Sequence, residues 1–419
     1  MYNNFIYFLI NNSHKFLFIL IFLNIFLNFI LCFYKNIINC WVLSYINILY
    51  FFKSIISAFL LINKTNDCFI YNSNSNLYIN PFFLEIVNLK ISNLETIFIF
   101  VISTISFFAN KLSIFYLNDD KKKNKFILFL NWFSISMIIF VMHNNIFMLI
   151  LTWELLGLTS FFLISHYENF KSLKSAMSAY FFNRISDIYI FIFVIIIFLF
   201  VNSQSLSINC FFEKNLQIVV CVSLILCSFK KSAVVFFKWL PDSMEAPLPA
   251  SALIHSATLV SAGIYLNIKY NFFFVNTNIL LFLQILTILF SFLTACFASY
   301  QTDIKKILAY STIANCSFIY YLIFSKNIET AVIYFMLHGL FKSMVFIFFG
   351  YAILKNKHKQ DVRSWNNLVS KNNSFNFMLL IPLSCLAGVQ MSPVYFYKHF
   401  SFYGFSDNCN LFLLNQCVL

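Results

Sequence analysis

From residue 4 onward the chain repeats one pattern, a long apolar run followed by a short polar break. The runs fall at 4–34, 41–62, 94–117, 126–142, 144–165, 175–201, 216–240, 249–268, 277–299, 304–324, 328–354 and 374–392. A helix of roughly 20 apolar residues spans the hydrocarbon core of a bilayer, so the pattern predicts about twelve membrane helices. The tail 393–419 has room for part of a thirteenth. The expected fold class is therefore an all-α polytopic membrane protein, without soluble modules or long linkers. Asn- and Ser-rich stretches at 63–93 and 202–215 separate some of the runs, and 78–96 is a candidate short β-hairpin.

Charge adds topology. From the third run on, one alternating set of loops (118–125, 166–174, 301–306 and 355–371) holds 13 Lys and Arg, and the opposite set holds 3. The loop at 241–248 belongs to the basic set but carries only Asp242 and Glu245. The bias places the basic set on the side where translation occurs. The net charge of +13 is thus largely loop charge and gives no case for nucleic-acid binding. Composition is 61% hydrophobic and 10% charged, too little polar surface for a soluble domain of 419 residues. Phe appears 59 times, Gly and Pro 6 times each, and the only arginines are Arg184 and Arg363. This skew follows AT-rich codons and suggests an organelle genome. No cleaved signal or Arg-rich presequence is evident. The 11 cysteines lack CxxC or Cys/His spacing and read as free thiols, so no metal is expected.

A few ionisable residues remain inside the apolar runs: Glu154, Asp187, Lys230, Lys231, His255, His338 and Lys342, with Lys238 near a run's end and Lys398 just past one. Intramembrane ionisable groups face bundle interiors and mark ion or proton paths; the bland alternative is a buried ion pair that only orients helices. Acids, lysines and histidines together favour transport. A lysine held out of water tends to shed its proton, and a nearby carboxylate reverses that, so such a pair is a switch. Histidines suit the relay between switches. His338 and Lys342 are four apart and share a helix face. Around Lys230 and Lys231 an apolar run meets Pro241, Pro247 and Pro249, which end one helix and begin the next. Interrupted helices beside charges are typical of transporter ion sites.

Five phrases occur in order: TWELLGLTSFFLI, SAYFFNRISDI, WLPDSMEAPLPASALIHSATLVSAGIYL, TDIKKILAYST and LHGLFKSMVF. Across roughly 90–355 the chain resembles the antiporter-like subunits of respiratory complex I. The NRISD and ALIHSAT phrases set it nearest the distal, subunit 5 branch of that family. The large subunit of Mrp-type sodium/proton antiporters shares these motifs.

The resemblance implies two inverted five-helix repeats with discontinuous helices. Residues 1–125 are then an N-terminal set, 126–268 a first repeat, and 269–419 a second, incomplete repeat. Glu154 matches the acid paired with the first buried lysine, which is Lys231 by the KSA phrase or Lys230 by counting back from Trp239. Asp187 matches the acid of NRISD, His255 the histidine leading towards the centre, Lys342 the central lysine and His338 its neighbour. The chain departs from the family pattern in four places. No proline stands in the break at Val234–Phe237. Tyr334 stands where a histidine is common. The usual exit lysine falls on Ser392 or Pro393, with Lys398 a candidate substitute. The chain stops at Leu419, which reads as a split or reduced gene, with a second polypeptide or extra subunits expected to supply the remainder.

The implied function is proton translocation in NADH:ubiquinone oxidoreductase of the mitochondrial inner membrane. Other membrane-arm subunits, especially the subunit 4 homologue, are the implied partners. This chain carries no dinucleotide or flavin motif, so NADH, FMN, iron–sulfur clusters and ubiquinone are assigned to other subunits; phospholipids such as cardiolipin fit its lipid-facing surface. An Mrp-type cation/proton antiporter subunit and a non-pumping scaffold subunit are the competing readings.

Overall fold

A computed structural model describes residues 17, 19–28, 48–57, 69–71, 89–201, 214–256, 258–274, 277–356, 359–365, 373–390 and 392–403. It divides into two compact units, one of residues 1–163 and 191–210, the other of residues 164–190 and 211–419. Among the described residues, eight helical segments are long and apolar enough to cross a membrane.

The first unit contains α1 (Ile19–Asn28), α2 (Ile48–Ser57), α3 (Asn93–Tyr116), α4 (Lys123–Met142) and α5 (Ile146–Ile164, of which the last residue falls in the second unit). A helix opens at Asn93 because the Ser92 amide donates to Glu95 Oε2 at 2.7 Å, half of a capping box. α3 packs along α4, and its buried side there is small and polar, with Ser103, Ser106, Asn110 and Ser113 at helical spacing. The serine hydroxyls donate to carbonyls three residues back in their own helix, at 2.7–3.1 Å. Their polarity is thus satisfied, and the backbones can approach closely. A three-residue strand, β1 (Phe69–Tyr71), pairs antiparallel with β2 (Leu89–Ile91). The hairpin expected within 78–96 is corrected accordingly: β2 lies in that segment, but its partner lies upstream of it. Residues 78–88, like most of 63–93 and 202–213 and the tail from 404, fall outside the described residues.

α6 (Phe170–Val201) begins in the second unit. That unit continues with α7 (Lys214–Lys231), α8 (Trp239–Asp242), α9 (Leu248–Ser256), α10 (Leu259–Lys269), α11 (Thr277–Tyr300), α12 (Ile304–Phe324), α13 (Ile328–Lys355), α14 (Asn373–Ala387) and α15 (Pro393–Tyr403). α11 and α12 form an antiparallel hairpin, and α11 exposes Leu281, Phe282, Ile285, Leu289 and Leu293 along one stripe. That stripe is the face expected against lipid. α13 is the hub, packed by α9, α12, α14 and α15. α7 and α10 approach so closely that a Cβ on Gly263 would lie 2.6 Å from the Ser228 carbonyl oxygen.

Among the described residues, the run read over 249–268 is divided at Thr258 into α9 and α10, and two further breaks carry left-handed backbone. The apolar run read as continuous over 216–240 ends at Lys231, and the chain turns through Ser232–Lys238 before α8. Ala233 (φ 60°) and Val235 (φ 67°) adopt the left-handed region there, which a β-branched residue rarely does. The Trp239 indole N–H donates to the Lys230 carbonyl at 3.1 Å, satisfying one orphan acceptor at the end of α7. The second interruption separates α14 from α15. Gly388 takes φ 75°, and the Tyr395 amide donates to Ser392 Oγ at 3.2 Å, so Ser392 and Pro393 open α15 as N-cap and first helical residue.

Candidate functional site

In the first unit, Glu154 sits half-buried in the middle of α5. It stands beside the fully buried Trp153, whose ring lies 5.6 Å from that of Phe140. All the other candidate residues belong to the second unit.

Asp187 is buried on α6 and pairs with Arg184 one turn earlier, Nη1 to Oδ2 at 3.4 Å. The guanidinium lies over the Tyr180 ring at 4.7 Å. The two candidate lysines at the end of α7 differ in surroundings. Lys230 places its ammonium 4.0 Å from the centre of the Phe236 ring and 5.7 Å from that of Tyr189. Lys231 is fully buried. It and Asp187 both lie within electrostatic reach of the Cys227 thiol.

The remaining candidates converge. His255, buried on α9, has Nε2 3.3 Å from Ser243 Oγ, and its ring stacks on Phe346 of α13 at 6.0 Å. Lys342, buried on α13, donates to Ser311 Oγ of α12. His255 is within electrostatic reach of Lys342, and His338 is within reach of both Lys342 and Lys398 on α15. His255, Lys342, His338 and Lys398 therefore form one row of basic groups drawn from three helices. Within it, both ring nitrogens of His338 and Nδ1 of His255 are buried without a hydrogen-bond partner among the described residues. Four residues before His338, Tyr334 donates to Asn315 Oδ1 at 2.6 Å. α12 thus lines the row with Ser311 and Asn315, one turn apart.

Chemically, the row sets two lysines and two histidines, groups able to carry and pass on protons, close to one another. The hydroxyl at Ser311 suits Lys342 in either state, since it accepts from an ammonium and donates to an amine.

Beside this row, reading the sequence missed one residue. Lys305 falls in the basic loop set, yet it is buried in the first turn of α12. It donates to the carbonyls of Met244 and Ala246, each at 3.1 Å. It therefore ties down the segment 243–247, and it lies within electrostatic reach of His255. That segment, read as a loop, includes a buried 3-10 turn at Ser243–Glu245, with only Asp242 and Glu245 turned outward. No sequence signal set Lys305 apart from its loop neighbours, because its two acceptors are main-chain carbonyls rather than an acid.

The interrupted helices, the lipid-facing stripes and the buried row of lysines and histidines define an antiporter-like membrane subunit. The chain belongs to the NADH:quinone oxidoreductase/Mrp antiporter transmembrane family, whose model matches residues 143–417. Among curated proteins, NADH-ubiquinone oxidoreductase chain 5 of Paramecium tetraurelia is 34% identical over 334 residues, covering 75% of this chain and 56% of that one. The chain spans about half the length of the curated relatives first matched. Among solved structures, a chain of the archaeal membrane-bound sulfane sulfur reductase superposes with a TM-score of 0.83 at 17% identity, covering 96% of this chain and 86% of that one. A chain of the Mrp complex from Dietzia sp. gives 0.74 at 21% identity, with 90% and 42% covered. These two likenesses establish the fold.

Proposed function

We propose that this chain is a proton-translocating membrane-arm subunit of NADH:ubiquinone oxidoreductase, of the chain 5 type, in the mitochondrial inner membrane. It works beside other membrane-arm subunits, the subunit 4 homologue among them. The observation that carries the reading is the row formed by buried His255, Lys342 and His338 with half-buried Lys398, drawn from α9, α13 and α15. Protons pass along this row through hydroxyls and internal water. Lys231 and Asp187 set the charge of the first station in the second unit, with Lys230 held against aromatic rings, and Glu154 of the first unit keeps the acid role that the family resemblance implies. Lys398 takes the exit position, because Ser392 and Pro393 are occupied in starting α15. The chain holds none of the redox groups, and NADH, FMN, clusters and ubiquinone act elsewhere in the assembly.

The test separates electron transfer from proton movement. Membranes are run on a native gel stained for NADH oxidation, and the active band is identified by mass spectrometry. Glu154→Gln and Lys342→Met are then assayed in sealed vesicles. The expected result is this chain in a very large NADH-active band, with both variants assembled but deficient in acidification per electron transferred. Migration with a few small membrane proteins and no NADH activity would point to the antiporter instead. Unchanged acidification in both variants would leave only a scaffold.

A further inference from the structure

The N-terminal helices contain a buried cation that the relay does not use. Lys53 lies near the middle of the apolar run 41–62, on α2, and is fully buried. Its Nζ has no hydrogen-bond partner among the described residues, and it lies 4.6 Å from the centroid of the Tyr50 ring. A cation–π contact offsets only part of the cost of taking an ammonium out of water.

The surroundings are polar, though they hold no carboxylate in contact with Lys53 among the described residues. Tyr50 hydroxyl bonds to Ser134 of α4, lies 3.4 Å from the Asn131 carbonyl and bonds to Asn24 of α1. Asn131 Oδ1 accepts from Asn110 Nδ2 of α3 at 2.9 Å, and Asn24 Oδ1 accepts from Asn28 Nδ2 at 2.8 Å. Four helices thus meet in one polar cluster. Among the described residues, five of its buried atoms have no hydrogen-bond partner: Lys53 Nζ, Asn24 Nδ2, Asn28 Oδ1, Asn110 Oδ1 and Asn131 Nδ2. Buried amides and ammonium groups are rarely left so, and a mixture of free donors and acceptors within one cluster is what internal water satisfies.

From this arrangement we infer that the N-terminal helices hold a second proton-exchanging site, built from Lys53 and a few internal waters. The step is a simple one. The ammonium gives one proton to an adjacent water, the nitrogen keeps the lone pair, and the resulting hydronium passes its excess proton along the asparagine-bound waters; reloading is the reverse. Tyr50 orients the lysine and does not itself exchange. The site rests on the proposed function only for the force that drives it.

Two measurements on the intact complex test this. The first is a high-resolution cryo-EM map, expected to show ordered water within hydrogen-bond distance of Lys53 Nζ. The second compares NADH-driven acidification in Lys53→Met and Lys53→Arg, with Lys342→Met as control. Met matches the length of the lysine stem and removes an unpaired charge, so the complex should assemble. Arg keeps the charge but does not release a proton. Both variants should lose proton movement per electron while NADH oxidation persists. A dry Nζ overturns the proposal. So does an Arg variant that behaves like the wild type, since a fixed charge would then suffice, or a Met variant without loss. If the Lys342→Met control alone is unaffected, the relay reading fails while the Lys53 result stands by itself.

Discussion

Consider replacing Lys305 by Met. The lysine makes two bonds to main-chain carbonyls at 3.1 Å, and it is 4% exposed. A hydrogen bond to a charged group contributes about 1.5–3 kcal/mol, so two contribute on the order of 3–6. Removing the ammonium also removes its desolvation cost, which returns a few kcal/mol. The carbonyls of Met244 and Ala246 are left unsatisfied in a buried segment. The net effect should be a local loss of about 2–3 kcal/mol, or roughly 30- to 140-fold in the local opening equilibrium. Hydrogen–deuterium exchange on the intact complex reads this directly in peptides covering 243–247. Exchange should speed by that factor there and stay unchanged in α13. Because Ser243 carries the contact to His255, acidification per electron should fall as well, and Lys305→Arg should restore part of both. Wild-type exchange at 243–247 in Lys305→Met would show that the two bonds do not hold the segment, and the reasoning would be wrong.

Two other substitutions probe the central helices. Ser311→Asp places a carboxylate on Lys342 and should hold it as an ammonium, abolishing acidification in vesicles while the complex assembles; Ser311→Ala should weaken it only in part. In Gly263→Ala the new methyl meets the Ser228 carbonyl oxygen at 2.6 Å and the Tyr320 hydroxyl at 2.8 Å, so α10 must shift from α7 at a cost of about 1–3 kcal/mol, measurable as a lower yield of assembled complex and a lower melting point.

Most of the helices were legible because apolar length is a strong signal, and the starts at Asn93, Ile304 and Ile328 lie within a residue of those read from the runs. The shared face of His338 and Lys342 followed from their spacing. The interruption after Lys231 could be expected only from the family resemblance, because Ala233–Phe237 is apolar and has neither Gly nor Pro; packing imposes its left-handed residues. The second interruption was written in Gly388, Ser392 and Pro393, which are ordinary stop and start signals. Lys305 was misplaced because counting loop charge assumes that a lysine beside a polar turn faces water. Lys53 was overlooked as one cation in an aromatic-rich run, although its depth there was as visible as that of Glu154.

The turn after α7 has a mechanical consequence. Left-handed backbone costs an L-residue roughly 1–2 kcal/mol, and Ala233 and Val235 both bear it. Nothing in their side chains favours that shape. The stretch is therefore held open from outside, by the Trp239 indole on the Lys230 carbonyl and by the packing around it. It behaves as a loaded catch: its own residues pull towards a straight helix, and its neighbours keep it bent.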